Sequence, residues 1–268
     1  MTLNLGVIGC GKMAYAILKG LVNHESIKIS QLLVNDIDEE KINLFVQEFK
    51  AIRAEQKSLI ESCDAVILAV KPYQIESVIK DNLQAFKDEQ LIISIAAGVK
   101  TNTIEEMLSN KGHVVRVMPN TPALVGQGVT AITSSQSVPD NNISLVQQIF
   151  DSIGKTYIVD EKYMDAITAI SGSGPAYVYL WVEALINAGV LIGLDNNLSK
   201  DLVINTIKGS MAMIEGSGKH PAELRDGVCS PGGTTIAAVR KLEEMGIRSA
   251  IFAGVEKAYL RSKELGEK

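Results

Sequence analysis

The chain has 268 residues, of which 46% are hydrophobic and 21% are charged, with a formal net charge of −5 at pH 7. This length and hydrophobic content allow one large domain or two, and we expect two. The mild negative charge and the lack of a dense Lys/Arg tract disfavour nucleic acid and anionic membrane surfaces as partners, which leaves a small molecule.

The cysteines and the first residues bear on the cellular compartment. Cys10, Cys63 and Cys229 are odd in number and far apart in the sequence. This argues against a disulfide framework and against a cysteine-based zinc site, so we predict no metal centre and a reducing compartment. The first nine residues lack the basic region of a secretory signal and continue into a strand pattern. We therefore expect a cytoplasmic protein.

In the first part of the chain, short β-rich segments alternate with amphipathic ones. The predicted strands cover residues 5–8, 32–35, 65–70, 91–95, 114–118 and 129–133. Residues 65–70 are apolar throughout, which is typical of a parallel strand covered on both faces. The spacing is that of βαβ units, and it predicts a doubly wound α/β sheet in a domain covering residues 1–160.

A glycine-rich turn follows the first predicted strand. Gly9, Gly11 and Ala14 have the spacing of the dinucleotide-binding fingerprint of Rossmann-type domains. Gly9 permits the turn, Gly11 lets a pyrophosphate approach the backbone, and Ala14 keeps the helix close to the sheet. Because an acidic residue, Asp36, ends the second predicted strand, we predict a dinucleotide cofactor here rather than a purely structural turn.

Asp36 bears on the choice of cofactor. A carboxylate at this position accepts a hydrogen bond from the 2′-hydroxyl of NAD and repels the 2′-phosphate of NADP, which favours NADH. The same residue is equally suited to cap a helix that begins near Asp38. The sequence leaves both interpretations open.

Other catalytic motifs are incomplete. Residues 6–12 have the Gly-x-x-x-x-Gly-Lys spacing of a phosphate loop, but Met13 stands where that motif requires Ser or Thr. The histidines, His24, His113 and His220, show no partner spacing and are interpreted as ordinary polar residues. The sequence therefore favours a reaction that needs no protein nucleophile, such as hydride transfer from a nicotinamide cofactor.

After residue 160 the strand signals fade and helical periodicity takes over. The predicted helices cover residues 162–170, 176–194, 199–215, 234–244 and 248–265. Glu183 and Asn187 interrupt the apolar stretch 176–194, so we interpret it as a buried helix and not as a membrane span. A helix that is apolar nearly all round is most simply covered by a second subunit. We predict an all-helical dimerisation domain over residues 161–268.

A second candidate site lies near the start of the helix predicted at residues 234–244. Ser230 is a natural N-cap residue, and Pro231 suits the first helical position. A helix start has unpaired N–H groups, and with the neighbouring glycines and the hydroxyls of Thr234 and Thr235 it can hold a carboxylate or a phosphate. An ordinary capped helix fits the same residues equally well.

Six motifs together resemble pyrroline-5-carboxylate reductase. In chain order they are Gly9-x-Gly11-x-Met13-Ala14, Ala69-Val-Lys-Pro72, Ser94-x-Ala-Ala-Gly98, Val117-Met-Pro-Asn-Thr-Pro122, Ser171-Gly-Ser-Gly-Pro-Ala-Tyr177 and Leu224-Arg-Asp-x-Val-x-Ser-Pro-Gly-Gly-Thr-Thr235. They span nearly the whole chain, and the last two are specific to the family. The resemblance implies NAD(P)H-dependent reduction of 1-pyrroline-5-carboxylate to L-proline, the last step of proline biosynthesis. It also implies a Rossmann domain followed by a helical domain that interlocks with a second subunit, with dimers able to assemble further.

The matching motifs also imply site residues. The cofactor, NADPH or NADH, would contact Ile8, Gly9, Cys10, Gly11, Lys12, Met13, Ala69, Val70, Lys71, Pro72, Ile95, Ala96 and Ala97. Asn35 and Asp36 join this set from their position at the end of the second strand. The resemblance implies that Ser230, Gly233, Thr234 and Thr235 hold the substrate, and we add Asn120 as a polar residue in a strand-end loop. Family members commonly use NADPH and often carry a neutral or basic residue near Asp36, so the cofactor preference stays open.

A mechanism follows from this assignment. The substrate carboxylate would bind the N–H groups and hydroxyl at residues 230–234, which fixes the imine ring. A protonated cyclic imine is far more electrophilic, so the site needs a hydrogen-bond partner for the nitrogen, and Thr235 is the predicted catalytic residue.

Two alternatives remain from the sequence. One is another Rossmann reductase resembling the 3-hydroxyacid dehydrogenases, although we find no convincing catalytic lysine in the second half. The other is a non-catalytic nucleotide sensor, for which the segment at residues 230–235 would be superfluous.

Overall fold

A computed structural model describes residues 2–23 and 27–266, and a twisted sheet flanked by helices dominates its first part. The described strands are β1 (Thr2–Ile8), β2 (Lys28–Asn35), β3 (Ile52–Arg53), β4 (Ala65–Leu68), β5 (Leu91–Ser94), β6 (His113–Met118), β7 (Gly128–Ser134) and β8 (Gly154–Ile158). They are ordered β3-β2-β1-β4-β5-β6-β7-β8 across the sheet. Only β6 and β7 pair antiparallel among these strands.

The helices fall into two groups along the chain. The sheet region contains α1 (Lys12–Val22), α2 (Glu39–Phe49), α3 (Gln56–Ser62), α4 (Ile75–Asp81), α5 (Thr101–Met107) and α6 (Asp140–Asp151). Then follow α7 (Met164–Ile167), a π-helix (Thr168–Gly172), α8 (Gly174–Leu191), α9 (Asn196–Ser217), α10 (Pro221–Gly227), α11 (Thr234–Glu244) and α12 (Ile247–Gly266). This order confirms a doubly wound α/β sheet followed by a helical region.

The central strands show why their sequence is apolar throughout. Along β4, Ala65 and Ile67 pack into the hydrophobic cluster on one face of the sheet. Val66 and Leu68 pack into the cluster on the opposite face. Because side chains of a strand alternate between faces and helices cover both, every position of β4 must be apolar.

Two strands that the sequence did not predict lie at the edges of the sheet. β3 has only two residues, and its Ile52 is half-exposed. In β8, Tyr157 and Ile158 are also more than half exposed. Edge strands bury little apolar surface, so they lack the hydrophobic pattern that identifies the central strands.

The chain divides into two compact units. The first contains the residues up to Pro175 together with those from Ala258 onward, and the second is Ala176–Lys257. The domain boundary between residues 160 and 161 stays a prediction.

The apolar helix α8 is not buried within the chain. Leu180 is 69% exposed, Trp181 46% and Leu191 85%. The chain's own residues do not cover this helix, and the predicted cover by a second subunit stays a prediction. A contiguous apolar surface of this kind marks an interaction site. Among the residues that the structure describes, no helix is long and apolar enough to cross a membrane.

Glu161 ties the start of the helical region to the sheet. Its carboxylate accepts hydrogen bonds from the backbone N–H of Thr101 at 2.8 Å, from the Thr101 hydroxyl at 2.7 Å and from Nη1 of Arg116 at 3.1 Å. Arg116 is buried. Burial raises the pKa of Glu161, but the hydrogen bonds from Thr101 and Arg116 outweigh it and place this pKa below its ordinary value of 4.5.

We expect Glu161→Gln to lower the free energy of unfolding at pH 7 by about 1 to 3 kcal/mol, because Arg116 becomes a buried cation without a counter-charge. Since the pKa of Glu161 is lowered on folding, its contribution is present above pH 4.5 and is lost as the pH falls through the lowered value. Urea unfolding of both proteins across this pH range checks the expectation. A difference that persists unchanged in acid contradicts it.

Candidate functional site

The turn between β1 and α1 brings the backbone of Gly9 against the end of β4. Gly9 has φ +101°, in the left-handed region that favours glycine, and its N–H donates to the Asn35 carbonyl at 2.8 Å. A Cβ on Gly9 would lie 2.7 Å from the carbonyl carbon and oxygen of Ala69. At Gly11, by contrast, no atom lies within 4 Å of the Cβ position. The turn thus has no room for a side chain at Gly9, whereas at Gly11 there is room for a ligand to approach the backbone.

The start of α1 is suited to an anion. α1 begins directly after Gly11, and no side chain caps its first turn. The unpaired N–H groups and the helix dipole favour a negative charge at this point. Ala14 is buried and brings the helix close to the sheet, as the fingerprint predicts.

A cavity of about 760 Å³ lies at this edge of the sheet, lined by the segments that follow β1, β2, β4, β5 and β6. Fourteen of the fifteen predicted cofactor residues line it: Ile8, Gly9, Gly11, Lys12, Met13, Asn35, Asp36, Ala69, Val70, Lys71, Pro72, Ile95, Ala96 and Ala97. The fifteenth, Cys10, is buried behind the turn. The structure therefore brings the predicted set together around one space large enough for a small organic ligand. Contact of each residue with a cofactor stays a prediction.

Ten further residues line the cavity but were not assigned to the cofactor from the sequence. They are Ile37, Lys41, Gln56, Tyr73, Gln74, Val78, Met118, Pro119, Thr121 and Leu124. Met118 to Leu124 follow the end of β6, so the rule that ligands bind at carboxyl ends of strands points to them. Lys41 and Gln56 lie on α2 and α3, and only the folded arrangement brings them to the cavity.

Asp36 connects two turns at the edge of the sheet. One carboxylate oxygen accepts from the backbone N–H of Cys10 at 2.6 Å, and the other accepts from that of Asp38 at 2.9 Å. The N-cap of α2 is Asp38, whose side chain accepts from the N–H groups of Glu40 and Lys41. The helix-cap interpretation of Asp36 is therefore wrong, because Asp38, two residues later, is the N-cap of α2.

Positive charge is also present in the cavity. Lys12, Lys41 and Lys71 contribute to its lining. Nζ of Lys41 lies 2.9 Å from a carboxylate oxygen of Asp38, and both side chains are well exposed. Exposed pairs of this kind are weak, so Lys41 can exchange Asp38 for an anionic ligand at little cost.

The candidate nucleophiles and metal ligands have other roles. Burial, together with the nearby Asp36, raises the pKa of Cys10 to about 12, so its thiol stays protonated at neutral pH. His113 pairs with Glu89 at 3.2 Å, and His220 caps α10. His24 lies outside the described residues. Within residues 2–23 and 27–266, no group of three or more His, Cys, Asp and Glu side chains is arranged to hold a metal ion.

Asn120 lies behind the cavity. Its Oδ1 accepts from the Val129 N–H at 2.9 Å, and its Nδ2 donates to the Ser171 carbonyl at 3.0 Å. Ser171 belongs to the π-helix, whose wider turn departs from the regular helical hydrogen-bond pattern. Asn120 therefore connects the loop after β6 to the π-helix, and its predicted contact with the substrate stays a prediction.

The segment before α11 differs from the predicted capped helix. Ser230 to Gly233 form a β-turn, in which the Gly233 N–H donates to the Ser230 carbonyl at 3.0 Å and Gly232 has φ +69°. The N-cap is Gly233, so the prediction of Ser230 as N-cap with Pro231 as the first helical residue is wrong. The physical reason is that a Pro-Gly pair at the centre of four residues favours a tight turn.

The first turn of α11 carries no side-chain cap, so the alternative of an ordinary capped helix does not hold. A Cβ on Gly233 would overlap the hydroxyl of Ser230, which places this hydroxyl directly over the N-cap backbone. Thr234 is exposed and Thr235 half-buried in the same turn. Free N–H groups beside hydroxyls form a site that suits a carboxylate.

Comparisons with known proteins cover the whole chain. Residues 161–265 match the family model "Pyrroline-5-carboxylate reductase dimerisation", and residues 4–98 match "NADP oxidoreductase coenzyme F420-dependent". The chain is 38% identical to a pyrroline-5-carboxylate reductase of Synechocystis sp. over 100% of both chains. It is 37% identical to that of Pisum sativum, over 97% of this chain and 95% of the relative.

Solved structures give the same result. The crystal structure of Plasmodium falciparum pyrroline carboxylate reductase with NADP bound matches with a TM-score of 0.88 at 37% identity, over 98% of each chain. The enzyme of Streptococcus pyogenes matches with a TM-score of 0.90 at 33% identity, over 98% of this chain and 99% of that one.

Proposed function

We infer that this chain, which belongs to the pyrroline-5-carboxylate reductase family, reduces the C=N bond of 1-pyrroline-5-carboxylate to give L-proline, with NAD(P)H as reductant. It is thus an oxidoreductase of proline biosynthesis. The observation that carries this conclusion is the match to reductases over the full chain, together with a dinucleotide-sized cavity at the glycine turn. The 3-hydroxyacid dehydrogenase and nucleotide-sensor alternatives are not favoured.

We propose that the cofactor binds in the cavity at the edge of the sheet. The uncapped start of α1 and the open space at Gly11 suit the pyrophosphate. Asp36 and Lys41 would lie beside the adenosine ribose, and the loops after β5 and β6 beside the nicotinamide. When bound, the cofactor supplies a hydride to the imine carbon.

We propose that the first turn of α11 holds the substrate. The backbone N–H groups of Thr234 and Thr235, with the Ser230 hydroxyl, would bind the substrate carboxylate and orient the ring. The N–H of Gly233 is already bonded to the Ser230 carbonyl, so Gly233 would contribute only the close approach of its backbone. The Thr235 hydroxyl would then hydrogen-bond to the imine nitrogen, favouring the protonated and more electrophilic form. The uncapped start of α11 suits both interactions, because its backbone N–H groups and hydroxyls are available to a ligand.

The chain carries a dimerisation region, and we propose that it forms a homodimer able to assemble further, in the cytoplasm. The exposed apolar face of α8 supports this, because a second copy is the simplest cover for it. Sedimentation equilibrium at micromolar concentration should give twice the monomer mass or a multiple of it, whereas a stable monomer contradicts the proposal.

The activity is tested by following oxidation of NADPH and of NADH with purified protein and 1-pyrroline-5-carboxylate. We expect turnover with this substrate and much poorer turnover with 1-pyrroline, which lacks the carboxylate that α11 is proposed to bind. NADPH binding without turnover of either imine would instead favour a nucleotide-binding protein. Equal turnover of both imines would reject the proposed carboxylate site but not the reductase activity.

A further inference from the structure

We propose that the last turn of α12 is a positioning element for the cofactor, because it sets the place of the loop at residues 95–98 that lines the cofactor cavity. This inference rests on the assignment of that cavity to the dinucleotide. Ile95, Ala96 and Ala97 line the cavity directly after β5. Gly98 follows them and is the residue that α12 contacts.

The contact between Gly98 and α12 is a close approach of two backbones. Gly98 has φ +82°, and a Cβ there would lie 3.0 Å from Cβ of Leu265. In the opposite direction, a Cβ on Gly266 would lie 2.6 Å from the carbonyl oxygen of Gly98. Neither side of this contact has room for a methyl group, so the loop and the helix end cannot move independently.

A second contact fixes the helix end from another side. Ser262 is buried, and its hydroxyl donates to a carboxylate oxygen of Asp165 on α7 at 2.7 Å. Ser262 lies one turn before Gly266 on α12. The last turn is therefore held by α7 and in turn bears on Gly98, all within the first compact unit.

This arrangement has a consequence for the cofactor. In doubly wound sheets a dinucleotide spans the point where the strand order reverses, which here lies between β1 and β4. With the adenosine end toward β2, the nicotinamide end lies toward β5 and the 95–98 loop that follows it. A shift of Gly98 passes through the backbone to Ala97 and Ala96, which carry no long side chains that could adjust. The chain end thus determines how closely this wall of the cavity fits the cofactor.

Gly266→Ala tests the contact by volume alone. The φ of Gly266 is not in the left-handed region, so its backbone conformation accepts alanine. The atoms nearest to the added methyl group all belong to Gly98, so the variant tests this contact. We expect the dissociation constant for NADPH to rise, and kcat/KM to fall, by roughly tenfold, because misplacement by an ångström can cost up to about 100-fold. NADPH binding is measured by its fluorescence in the absence of substrate.

Ser262→Ala provides a second test without added volume, and it keeps the test available if Gly266→Ala does not fold. Loss of the hydrogen bond to Asp165 should loosen the helix end and raise the NADPH dissociation constant by roughly threefold. A threefold change corresponds to less free energy than a typical hydrogen bond contributes. Lys263→Ala is the matched control, because it changes an exposed side chain in the same turn. We expect it to bind NADPH like the parent protein.

Parent-like NADPH binding in folded Gly266→Ala and Ser262→Ala proteins would overturn the inference and leave the cofactor assignment intact. Weakened binding in all three variants would also overturn it, since the effect would then be unspecific. Failure of the parent protein to bind NADPH would overturn both the inference and the cofactor assignment.

Discussion

Thr235→Ala is expected to lower kcat/KM for 1-pyrroline-5-carboxylate by roughly 10- to 1000-fold, the cost of a lost transition-state hydrogen bond of about 1.4 to 4 kcal/mol. Thr235 lies in the uncapped first turn of α11, where its hydroxyl is free to serve a ligand. The hydroxyl would act on the imine nitrogen, whose proton affinity changes most during the reaction. The loss should therefore appear in kcat as well as in KM.

Two controls separate this role from a structural one. Thr235→Ser keeps the hydroxyl and should retain most of the activity, whereas Thr235→Val keeps the shape and should behave like the alanine variant. NADPH binding without substrate should be unchanged in all three proteins. Steady-state kinetics of Thr235→Ala that equal those of the parent would reject Thr235 as the catalytic residue.

Asp36→Asn should raise the ratio of kcat/KM with NADPH to kcat/KM with NADH by about 10- to 100-fold, or about 1.4 to 2.8 kcal/mol, since it removes a negative charge from beside the 2′-phosphate. Asparagine has nearly the same size but only one acceptor oxygen, so it keeps one of the two hydrogen bonds that Asp36 accepts from the N–H groups of Cys10 and Asp38. The loss of the other bond affects both cofactors alike and cancels in the ratio, whereas the loss of the charge does not. Initial rates with each cofactor give the ratio.

Lys41→Ala is the matched variant, because Lys41 also lines the cavity and interacts electrostatically with Asp36. Its removal should lower the same ratio, by roughly threefold for an exposed charge. Opposite changes in the two variants would identify the pair as the determinant of cofactor choice. An equal loss with both cofactors in Asp36→Asn would mean instead that Asp36 acts only by holding the two turns together.

The sheet and its cavity could be predicted because local patterns carry them. Burial on both faces makes β4 apolar throughout, and the glycine spacing marks the turn at Gly9 and Gly11. Since parallel strands end at one edge, residues after β1, β2, β4 and β5 necessarily gather there. The resemblance assigned most of these residues to the cofactor, and the strand-end rule explains why residues so far apart in sequence line one cavity.

The remaining features depend on contacts that no local pattern carries. Asp36 binds the Cys10 amide across the turn, Glu161 binds Arg116 across 45 residues, and Gly98 meets Gly266 at the end of the chain. The bounds of α11 agree with the prediction, but its N-cap was misassigned because Ser-Pro is as typical of the beginning of a tight turn as of a helix start. The apolar composition of α8 predicts that the helix is covered, and its exposure within the chain leaves that cover to a second copy.

A crystal structure of the protein with L-proline and NADP⁺ tests the central claim most directly. The account predicts the dinucleotide pyrophosphate at the start of α1 and the proline carboxylate within hydrogen-bond distance of the backbone N–H groups of Thr234 and Thr235. Proline bound with its carboxylate on any other part of the chain would contradict the account.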